Sequence, residues 1–382
     1  MDSAGLVTPP HVAGPLRLEP FRALRFAPAR VGNPTTGRAF ARPYREVGAR
    51  LDRWRGRGLV TLDDEPALYL HEYSTAGMTV RGLVGLLDVS RRAHLLDDRA
   101  VLPHEGIHPR QADELAERMD QMRLNPAPIL LVHHGPPGLR AVIRELSDRT
   151  PDIAYDDRSG QQHRLWAVRD EPTLRNIREQ LSSTRALIAD GHHRYAAYLR
   201  LQRRHAEAGH RTPTDHGLAM LVDQDDTPLF LGAIHRTLLG TEFDDLRDAA
   251  EDRGYVFTDC PHHDAVRALG ASCLAVTDGQ RWARLDLGAS VDVPAVELLH
   301  RLIIPSLRHG PSGISYHHSV EDAVGSATRG STVVLMPAPT VDLVMKVAAA
   351  DRLLPEKATS FQPKPSLGVL IRSWHDAPDD PT

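Results

Sequence analysis

The sequence has few cysteines, almost no lysine and no long apolar segment. Its two cysteines, Cys260 and Cys273, cannot build a disulfide framework or a four-thiolate zinc site, which favours a reducing compartment. No segment approaches the roughly 18–20 apolar residues of a membrane helix. The first residues, MDSAGLVTPP, lack the basic start and apolar run of a signal peptide. We therefore expect a cytoplasmic protein without a membrane partner.

Strong positive charge is also absent. The chain has 46 basic and 50 acidic residues, a formal net charge of −4, and no strongly basic tail or stripe. This argues against recognition of nucleic acid through bulk electrostatics. Only three of the basic residues are lysines, and Lys357 and Lys364 lie close together in PEKATSFQPKP. Arginine does not always replace the compact lysine ammonium, so these two lysines are candidate anion ligands.

Hydrophobic periodicity predicts a mixture of strands and helices. Strands are expected within 59–89, 127–134, 164–170, 185–190 and 255–259, and helices at 111–124, 139–146, 172–183, 191–209, 242–253 and 340–350. Segment 218–238 is typical of two strands around a turn at Asp225-Asp226. Hairpins combined with strand–helix crossovers indicate an α+β (mixed α/β) fold.

The sharpest local feature is the segment Asp190-Gly191-His192-His193-Arg194, between a predicted strand and a predicted helix. Free N–H groups at a helix N-terminus bind anions, and glycine lets the backbone approach a ligand closely. Arg194 can fork onto phosphate oxygens. Asp190 can hold Mg²⁺, orient a histidine or accept a proton. The segment therefore favours phosphate binding over a simple helix cap between solvated histidines.

A series of motifs along the whole chain resembles a known family. The motifs are PFRALRFAPARVG (20–32), ARPYREV (41–47), PHEGIHP (103–109), LNPAPIL (124–130), HRLWAV (163–168), LIADGHHRYAAYL (187–199), AIHRTL (233–238) and LLPEKATSFQPKP (353–365). Their order resembles the bacterial and archaeal family called domain of unknown function 1015. The Asp-Gly-His-His-Arg element is similar to the nucleotide-phosphate motif of the ParB/sulfiredoxin-like superfamily, which includes partition-protein CTP switches and free-serine kinases.

This resemblance implies a ParB/sulfiredoxin-like core with N-terminal and C-terminal additions. We divide the chain into an N-terminal mixed β segment on the substrate side (1–110), a nucleotide-phosphate core (111–240) and a C-terminal α/β domain (241–382), with the second boundary marked by Gly240-Thr241. The resemblance also implies a kinase that uses ATP or ADP with Mg²⁺. The implied acceptor is the hydroxyl of free serine or of a similar hydroxy-amino acid. The assembly that we consider is a homodimer.

The residues and the resemblance together assign three groups of candidate site residues. The catalytic candidates are Glu105, Asp190 and His192, where Glu105 or Asp190 would receive the hydroxyl proton and Asp190 would also hold the metal. The nucleotide-binding candidates are Gly191, His192, His193, Arg194, His235, Arg236, Lys357 and Lys364. The substrate-binding candidates are Tyr44, His104, His108 and Asn125.

The sequence departs from the family pattern at three positions in its N-terminal third. Arg45 replaces an acid, Pro103 replaces an arginine and Ile107 replaces a threonine. All three departures lie on the expected substrate side. The resemblance therefore supports phosphoryl transfer more than it supports any particular acceptor.

Two alternatives remain open. A nucleotide-binding switch or scaffold without turnover would share the phosphate motif, although no basic recognition helix is visible. A zinc hydrolase would use His104-Glu105-Gly106-Ile107-His108, which matches H-E-x-x-H. That chemistry needs both histidines on one helical face, and glycine and proline cost about 1 and 3 kcal/mol within a helix. Pro103, Gly106 and Pro109 therefore disfavour it, and we expect a loop.

Overall fold

The structure is a computed structural model that describes residues 5–209, 213–288 and 293–374, and these residues form two compact units. The larger unit contains Leu6–Pro103, Ile107–Leu229 and residues 363–374, and the smaller unit contains Gly5, His104–Gly106 and Phe230–Gln362. These units do not follow the predicted division at 110 and 240. The chain instead enters the smaller unit briefly at His104 and again at Phe230.

Helices and strands alternate along the described chain, which confirms the predicted α+β class. The α-helices are α1 (Val47–Arg55), α2 (Pro109–Met122), α3 (Pro137–Ser147), α4 (Glu171–Leu181), α5 (His192–Glu207), α6 (Phe243–Glu251), α7 (His262–Ala268), α8 (Ala295–Leu298), α9 (Val320–Gly325) and α10 (Val341–Ala349). The 3₁₀ turns span Pro28–Arg30, Thr36–Phe40, Tyr44–Glu46, Pro213–Asp215 and Ile304–Ser306, and a π-helical turn spans Leu299–Ile303.

The strands fall mainly where alternating or continuous apolar runs predict them. They are β1 (Leu18–Glu19), β2 (Ala23–Phe26), β3 (Val60–Leu62), β4 (Leu68–Thr75), β5 (Met78–Asp88), β6 (Val101–Leu102), β7 (Leu124–Asn125), β8 (Ile129–His133), β9 (Ile153–Asp156), β10 (Gln162–Val168), β11 (Ala186–Asp190), β12 (His216–Asp223), β13 (Phe230–Gly232), β14 (His235–Leu239), β15 (Val256–Asp259), β16 (Cys273–Thr277), β17 (Trp282–Asp286), β18 (Gly313–His317), β19 (Ser331–Leu335), β20 (Ser360–Gln362) and β21 (Ile371–Ser373).

The larger unit is built on a nine-stranded sheet. Its strand order is β6-β11-β8-β12-β5-β4-β10-β9, with β1 paired to β5. Most pairs are antiparallel, and β12 runs parallel to β8. A four-stranded sheet with the order β3-β2-β21-β7 completes this unit.

The two faces of the large sheet have different roles. Successive side chains of a strand point to opposite faces. On one face Leu70, Leu83, Leu131 and Leu221 belong to the apolar core, to which helices α2–α5 also contribute. Leu130 and the residues paired with it on neighbouring strands, such as Met220 and then Val84, point to the other face, where a cavity lies. The sheet is therefore core on one side and candidate site on the other.

The smaller unit has its own sheets. A six-stranded sheet has the order β15-β17-β16-β19-β14-β18, and β13 pairs with β20. Buried Ala275, Val333 and Leu335 form a compact core with residues of α7 and α9. None of the helices in the described residues is both long enough and apolar enough to span a bilayer.

Strands lie on both sides of Asp225-Asp226, as predicted, but the segment contains three strands rather than two. Strand β12 ends at Asp223 and does not pair with the next strand, because β5 and β8 already occupy both of its edges. The following residues form two strands, β13 and β14, which belong to the smaller unit.

We expect Gly217→Ala to destabilise the larger unit by about 1–3 kcal/mol, the usual cost of overpacking. A Cβ atom at Gly217 would overlap the ring of Tyr198, which is buried and donates a hydrogen bond to the Leu218 carbonyl at 3.2 Å. Urea unfolding measures the change. Gly37→Ala is the control, because no atom lies within 4 Å of its added Cβ. Equal stability of the two variants would contradict the packing argument.

Candidate functional site

The candidate site begins at the turn between β11 and α5. Strand β11 ends at Asp190, and Gly191 has φ +98° and ψ 30°, in the left-handed region. A Cβ at Gly191 would lie 3.0 Å from Arg194 Nη2 and 3.1 Å from Ile129 Cγ2. Glycine is required there for both its conformation and its small size. The turn thus brings Asp190 and the first residues of α5 together.

Asp190 is paired with two cations. Its Oδ2 lies 2.5 Å from Arg194 Nη2, and its Oδ1 lies 2.5 Å from Lys364 Nζ. Burial alone would raise the pKa of Asp190, but the Arg194 guanidinium and the Lys364 ammonium outweigh it and hold that pKa below its ordinary value. One carboxylate between two cations leaves the cluster with one net positive charge.

This cluster borders a cavity of about 150 Å³ within the larger unit. Arg194 is held at the wall by hydrogen bonds to the carbonyls of Ala127 and Pro128. The cavity is lined by His71, Val84, Pro126, Ala127, Pro128, Leu130, Asp190, Arg194, Lys364, Pro365, Ser366, Leu367, Gly368, Val369 and Leu370. The cavity therefore combines three charged groups with a mainly apolar wall. Such a site suits a small ligand that is apolar over most of its surface and carries an anionic group at one end.

The two histidines after Gly191 do not line this cavity. Burial lowers the pKa of His192 to about 3, so its ring is neutral at pH 7. His193 accepts a hydrogen bond at Nε2 from the backbone N–H of His108 at 3.1 Å, and the two rings stack with centroids 6.0 Å apart. His108, a predicted substrate ligand, therefore joins the start of α2 to the start of α5.

Glu105 lies in the smaller unit, beside Thr359. The Thr359 hydroxyl is 3.4 Å from Glu105 Oε1 and 2.8 Å from His104 Nε2. Burial raises the pKa of Glu105 to about 7, although the Lys357 ammonium acts in the opposite direction. A carboxyl group that titrates near neutrality is suited to general acid–base chemistry.

His235 and Arg236 are buried within the smaller unit. His235 Nδ1 accepts a hydrogen bond from the backbone N–H of Met336 at 3.0 Å. Arg236 is 1% exposed and donates to the carbonyls of Ile234 and Lys357, the latter at 2.8 Å. We expected this pair to contact a nucleotide. Its observed partners are backbone groups and the His300 ring, whose Nε2 accepts from Arg236 Nε at 3.3 Å.

Two further predicted ligands lie away from the cavity in the larger unit. Asn125 is fully buried, and its Oδ1 accepts a hydrogen bond from Arg372 at 3.3 Å. Tyr44 is half-buried, with the guanidinium groups of Arg42 and Arg118 within 5.7 and 5.6 Å of its ring centroid. Asn125 stabilises the pairing of β7 with β21, whereas Tyr44 faces a separate, open cavity.

The H-E-x-x-H segment is extended. Glu105 makes an isolated bridge with Leu354, His108 has ψ 116°, and helix α2 begins only at Pro109. The two histidines therefore do not share a helical face, as the zincin arrangement requires. Within the described ranges, no group of three or more His, Cys, Asp or Glu side chains could hold a metal ion.

Two polar residues of the cavity wall, Ser366 and His71, were not predicted from the sequence. His71 lies on β4, and His163 lies on the neighbouring strand β10, where it pairs with Tyr73, two residues beyond His71. His71 interrupts an apolar run in β4, which is the signal that could have identified it. Without the strand pairing, however, histidines 92 residues apart have no visible relation.

These features define an α+β protein with a charged strand-to-helix turn at the wall of a partly apolar cavity. The chain belongs to the family described as "Protein of unknown function (DUF1015)", whose profile matches residues 17–301. This confirms the family resemblance. The likeness to the ParB/sulfiredoxin superfamily stays a prediction. No curated protein matches the sequence.

Several solved structures are similar to this chain at low identity. A free serine kinase in complex with AMP is 14% identical, with 76% of this chain and 92% of that chain covered and a TM-score of 0.40. SbnI with a C-terminal truncation, from Staphylococcus aureus, is 12% identical, with coverage of 78% and 90% and a TM-score of 0.42. A conserved hypothetical protein from Pyrococcus furiosus is 14% identical, with coverage of 77% and 96% and a TM-score of 0.39. Similarity at this level does not carry a function from one protein to another.

We expect Asp190→Asn to reduce stability at pH 7 and to have a progressively smaller effect as the pH falls below about 4. The folded chain holds the pKa of Asp190 below its ordinary value of about 3.9, so the ionised carboxylate stabilises the fold above that pH. This stabilisation is lost as the pH falls through the lower, folded pKa. Urea unfolding of both proteins across this range measures the difference.

The matched control is Glu145→Gln. Glu145 is exposed and pairs with Arg149 one helical turn away, a contact worth at most about 0.5 kcal/mol. A pH-independent loss in Asp190→Asn would mean that its charge is not what stabilises the turn.

Proposed function

We propose that this protein is a small-molecule phosphotransferase that binds ATP or ADP in the cavity beside Asp190. The observation that carries the proposal is the convergence of Asp190, Arg194 and Lys364 at one wall of a partly apolar cavity. Phosphoryl transfer depends on positioning and on positive charge set against the phosphate oxygens. An apolar wall next to that charge suits a nucleoside.

Arg194 and Lys364 are the phosphate ligands in this proposal. A guanidinium can bind two phosphate oxygens at once, and an ammonium acts as a compact point charge. Both now share the Asp190 carboxylate, so an arriving phosphate competes for cations that are already in place. The cations are already positioned, and nucleotide binding would exchange part of their carboxylate contact for phosphate oxygens.

Asp190 is suited to hold Mg²⁺. This ion is usually bound by one or two carboxylates together with substrate phosphates and water, so a single carboxylate at the cavity wall fits it. When bound, Mg²⁺ would neutralise phosphate charge. The low pKa of Asp190 also makes its carboxylate a weak base, which leaves it to serve as an ion ligand.

Glu105, in the smaller unit, stays the general-base candidate that the sequence predicts, and its own surroundings give it the chemistry of a base. A carboxyl group with a pKa near 7 is about half ionised at neutral pH, and its ionised form is basic enough to accept a proton from a hydroxyl group. The acceptor that we propose, by analogy with the family resemblance, is free serine or a similar hydroxy-amino acid. Its hydroxyl would attack the terminal phosphoryl group and release ADP or AMP.

The first experiment incubates the full chain with Mg²⁺, ATP or ADP, and a pool of free hydroxy-amino acids. Mass spectrometry then identifies any species that gains a phosphoryl group. A phosphorylated amino acid supports the proposal and names the acceptor. Nucleotide binding without any phosphorylated product favours the switch without turnover.

We expect Lys364→Ala to weaken nucleotide binding at least tenfold, because it removes a cation from the cavity wall. Calorimetric titration with ADP and Mg²⁺ measures the dissociation constant. Lys346→Ala is the matched control, since Lys346 lies on α10 in the smaller unit. Asp190→Asn and Arg194→Ala are expected to abolish turnover. Unchanged rates in both of these variants would rule out the assignment.

We expect turnover to fall as the pH is lowered through about 7, because the Glu105 carboxylate then becomes protonated. Glu105→Gln removes this dependence and lowers kcat about 10²–10⁴-fold, the usual contribution of a general base. Steady-state rates from pH 5.5 to 8.5 provide the test. Glu356→Gln, an exposed neighbour in the same unit, is the control. An unaltered pH profile in Glu105→Gln would exclude Glu105 as the base.

A further inference from the structure

A buried chain of hydrogen bonds ends at the cavity wall of the larger unit. Asp157 Oδ2 lies 3.1 Å from His163 Nε2, and His163 Nδ1 lies 3.0 Å from His71 Nε2. His163 and His71 are only 1% and 2% exposed. His71 lines the same cavity as Asp190. The chain thus joins a buried carboxylate to the cavity through two imidazole rings.

This chain of hydrogen bonds fixes which nitrogen of each histidine ring carries a proton. Burial acts to raise the pKa of Asp157, but hydrogen bonds from Ser366, His163 and Ser159 outweigh it, so the carboxylate stays ionised. It can only accept, so His163 Nε2 donates to it. Burial lowers the pKa of both histidines, and each is therefore neutral.

The remaining protons follow from this arrangement. A neutral His163 that donates from Nε2 has no proton on Nδ1, so Nδ1 accepts a hydrogen bond from His71 Nε2. A neutral His71 that donates from Nε2 has, in turn, no proton on its own Nδ1. That Nδ1 is the polar ring atom left for a molecule in the cavity, and it can only accept.

The sheet separates His71 from the charged wall. Residues that pair directly across neighbouring strands share a face of the sheet. Starting from Asp190, the successive paired residues on the next four strands are Leu130, Met220, Val84 and Tyr69. His71 follows Tyr69 by two residues, so it shares this face. Four steps of about 4.8 Å each place the backbones of Asp190 and Tyr69 about 19 Å apart, and His71 lies two residues further along β4. Leu130 and Val84 provide apolar surface between them.

We propose that His71 recognises the base of the bound nucleotide by accepting a hydrogen bond from an exocyclic amino group. This inference rests on the proposed function, which places the phosphates at Asp190, Arg194 and Lys364. Adenine and cytosine present an amino donor where their oxo counterparts, hypoxanthine and uracil, present a carbonyl oxygen. An oxygen there would meet the lone pair of Nδ1, so the site selects amino-bearing bases.

The test compares matched pairs of nucleotides that differ at the amino or oxo position. The full chain with Mg²⁺ is titrated with ADP and IDP, and with CDP and UDP. We expect ADP and CDP to bind about tenfold more tightly than their oxo partners, the effect of one buried hydrogen bond. His71→Leu keeps an apolar wall, removes the acceptor and brings both ratios close to one.

Tyr73→Phe is the matched control for His71→Leu. Tyr73 is buried on the same strand, and its hydroxyl donates to the Pro363 carbonyl at 2.7 Å, outside the Asp157–His163–His71 chain. Its loss leaves the amino-to-oxo ratios unchanged. A parallel change of the ratios in both variants would indicate general disruption of the cavity and would overturn the proposal.

The role of the hydrogen-bond chain has a test that requires no substitution. Nitrogen-15 NMR of the histidine-labelled protein reports which ring nitrogen of His71 carries the proton, and we expect Nε2. A proton on Nδ1 would overturn the proposal, because that nitrogen would then be a donor. His163→Ala is expected to reduce the preference for ADP over IDP although His71 itself is retained.

The outcomes separate this inference from the proposed function. If the unaltered chain binds none of the four nucleotides, both fall. If it binds all four equally and His71→Leu does not change this, the inference alone falls. If His71→Leu weakens binding of the hydroxy-amino acid but leaves the ratios intact, His71 contacts the acceptor instead, and base recognition is again excluded.

Discussion

The candidate site depends on the pairing of the Asp190 carboxylate with two cations. A charge taken out of water without a partner costs several kcal/mol, so the partly buried Asp190 and Arg194 each offset the other's desolvation, and the half-exposed Lys364 adds a second cation to the pair. Arg194 also binds the carbonyls before β8, and Lys364 belongs to the segment that follows β20. One carboxylate therefore joins the β11–α5 turn to two distant parts of the larger unit.

The sheet below this cluster explains why a cavity forms there. Alternation of side chains commits Leu131 and Leu221 to the core shared with the helices, which leaves the opposite face to be covered by other chain segments. Residues 363–370 lie along that face and are held by Gln161, which donates to the Lys364 carbonyl at 2.9 Å and accepts from Ser366 at 3.1 Å. An irregular segment covers the sheet less closely than a helix, and the cavity is the space that remains.

The local parts of this arrangement could be predicted from the sequence. Periodicity located helices α2 to α5 and strands β8 and β11, and the residue types at 190–194 indicated a charged turn. These signals are local because a helix or a turn is decided by residues within a few positions of one another. The family, which rests on motifs spread along the chain, was also recognised.

The long-range parts could not be predicted. Lys364 and Asp190 are 174 residues apart, and their contact depends on the strand order of the complete sheet. The strand order also explains why the prediction for His235 and Arg236 differs from the structure. Both were predicted to contact a ligand, but they lie on β14, an interior strand whose neighbours bury both side chains. A short motif indicates which residues are capable of chemistry, but sheet topology decides which of them reach a cavity.

The two acidic residues singled out in the sequence illustrate how environment divides chemical roles. Glu105 and Asp190 carry the same functional group, and burial acts on both to raise the pKa. At Asp190 two ion pairs at 2.5 Å reverse that effect, whereas at Glu105 the opposing ammonium of Lys357 does not. A carboxylate held ionised is suited to bind cations, and one that titrates near neutrality is suited to exchange protons. The distribution of a few cationic side chains, rather than the identity of the acids, therefore separates the proposed metal ligand from the proposed base.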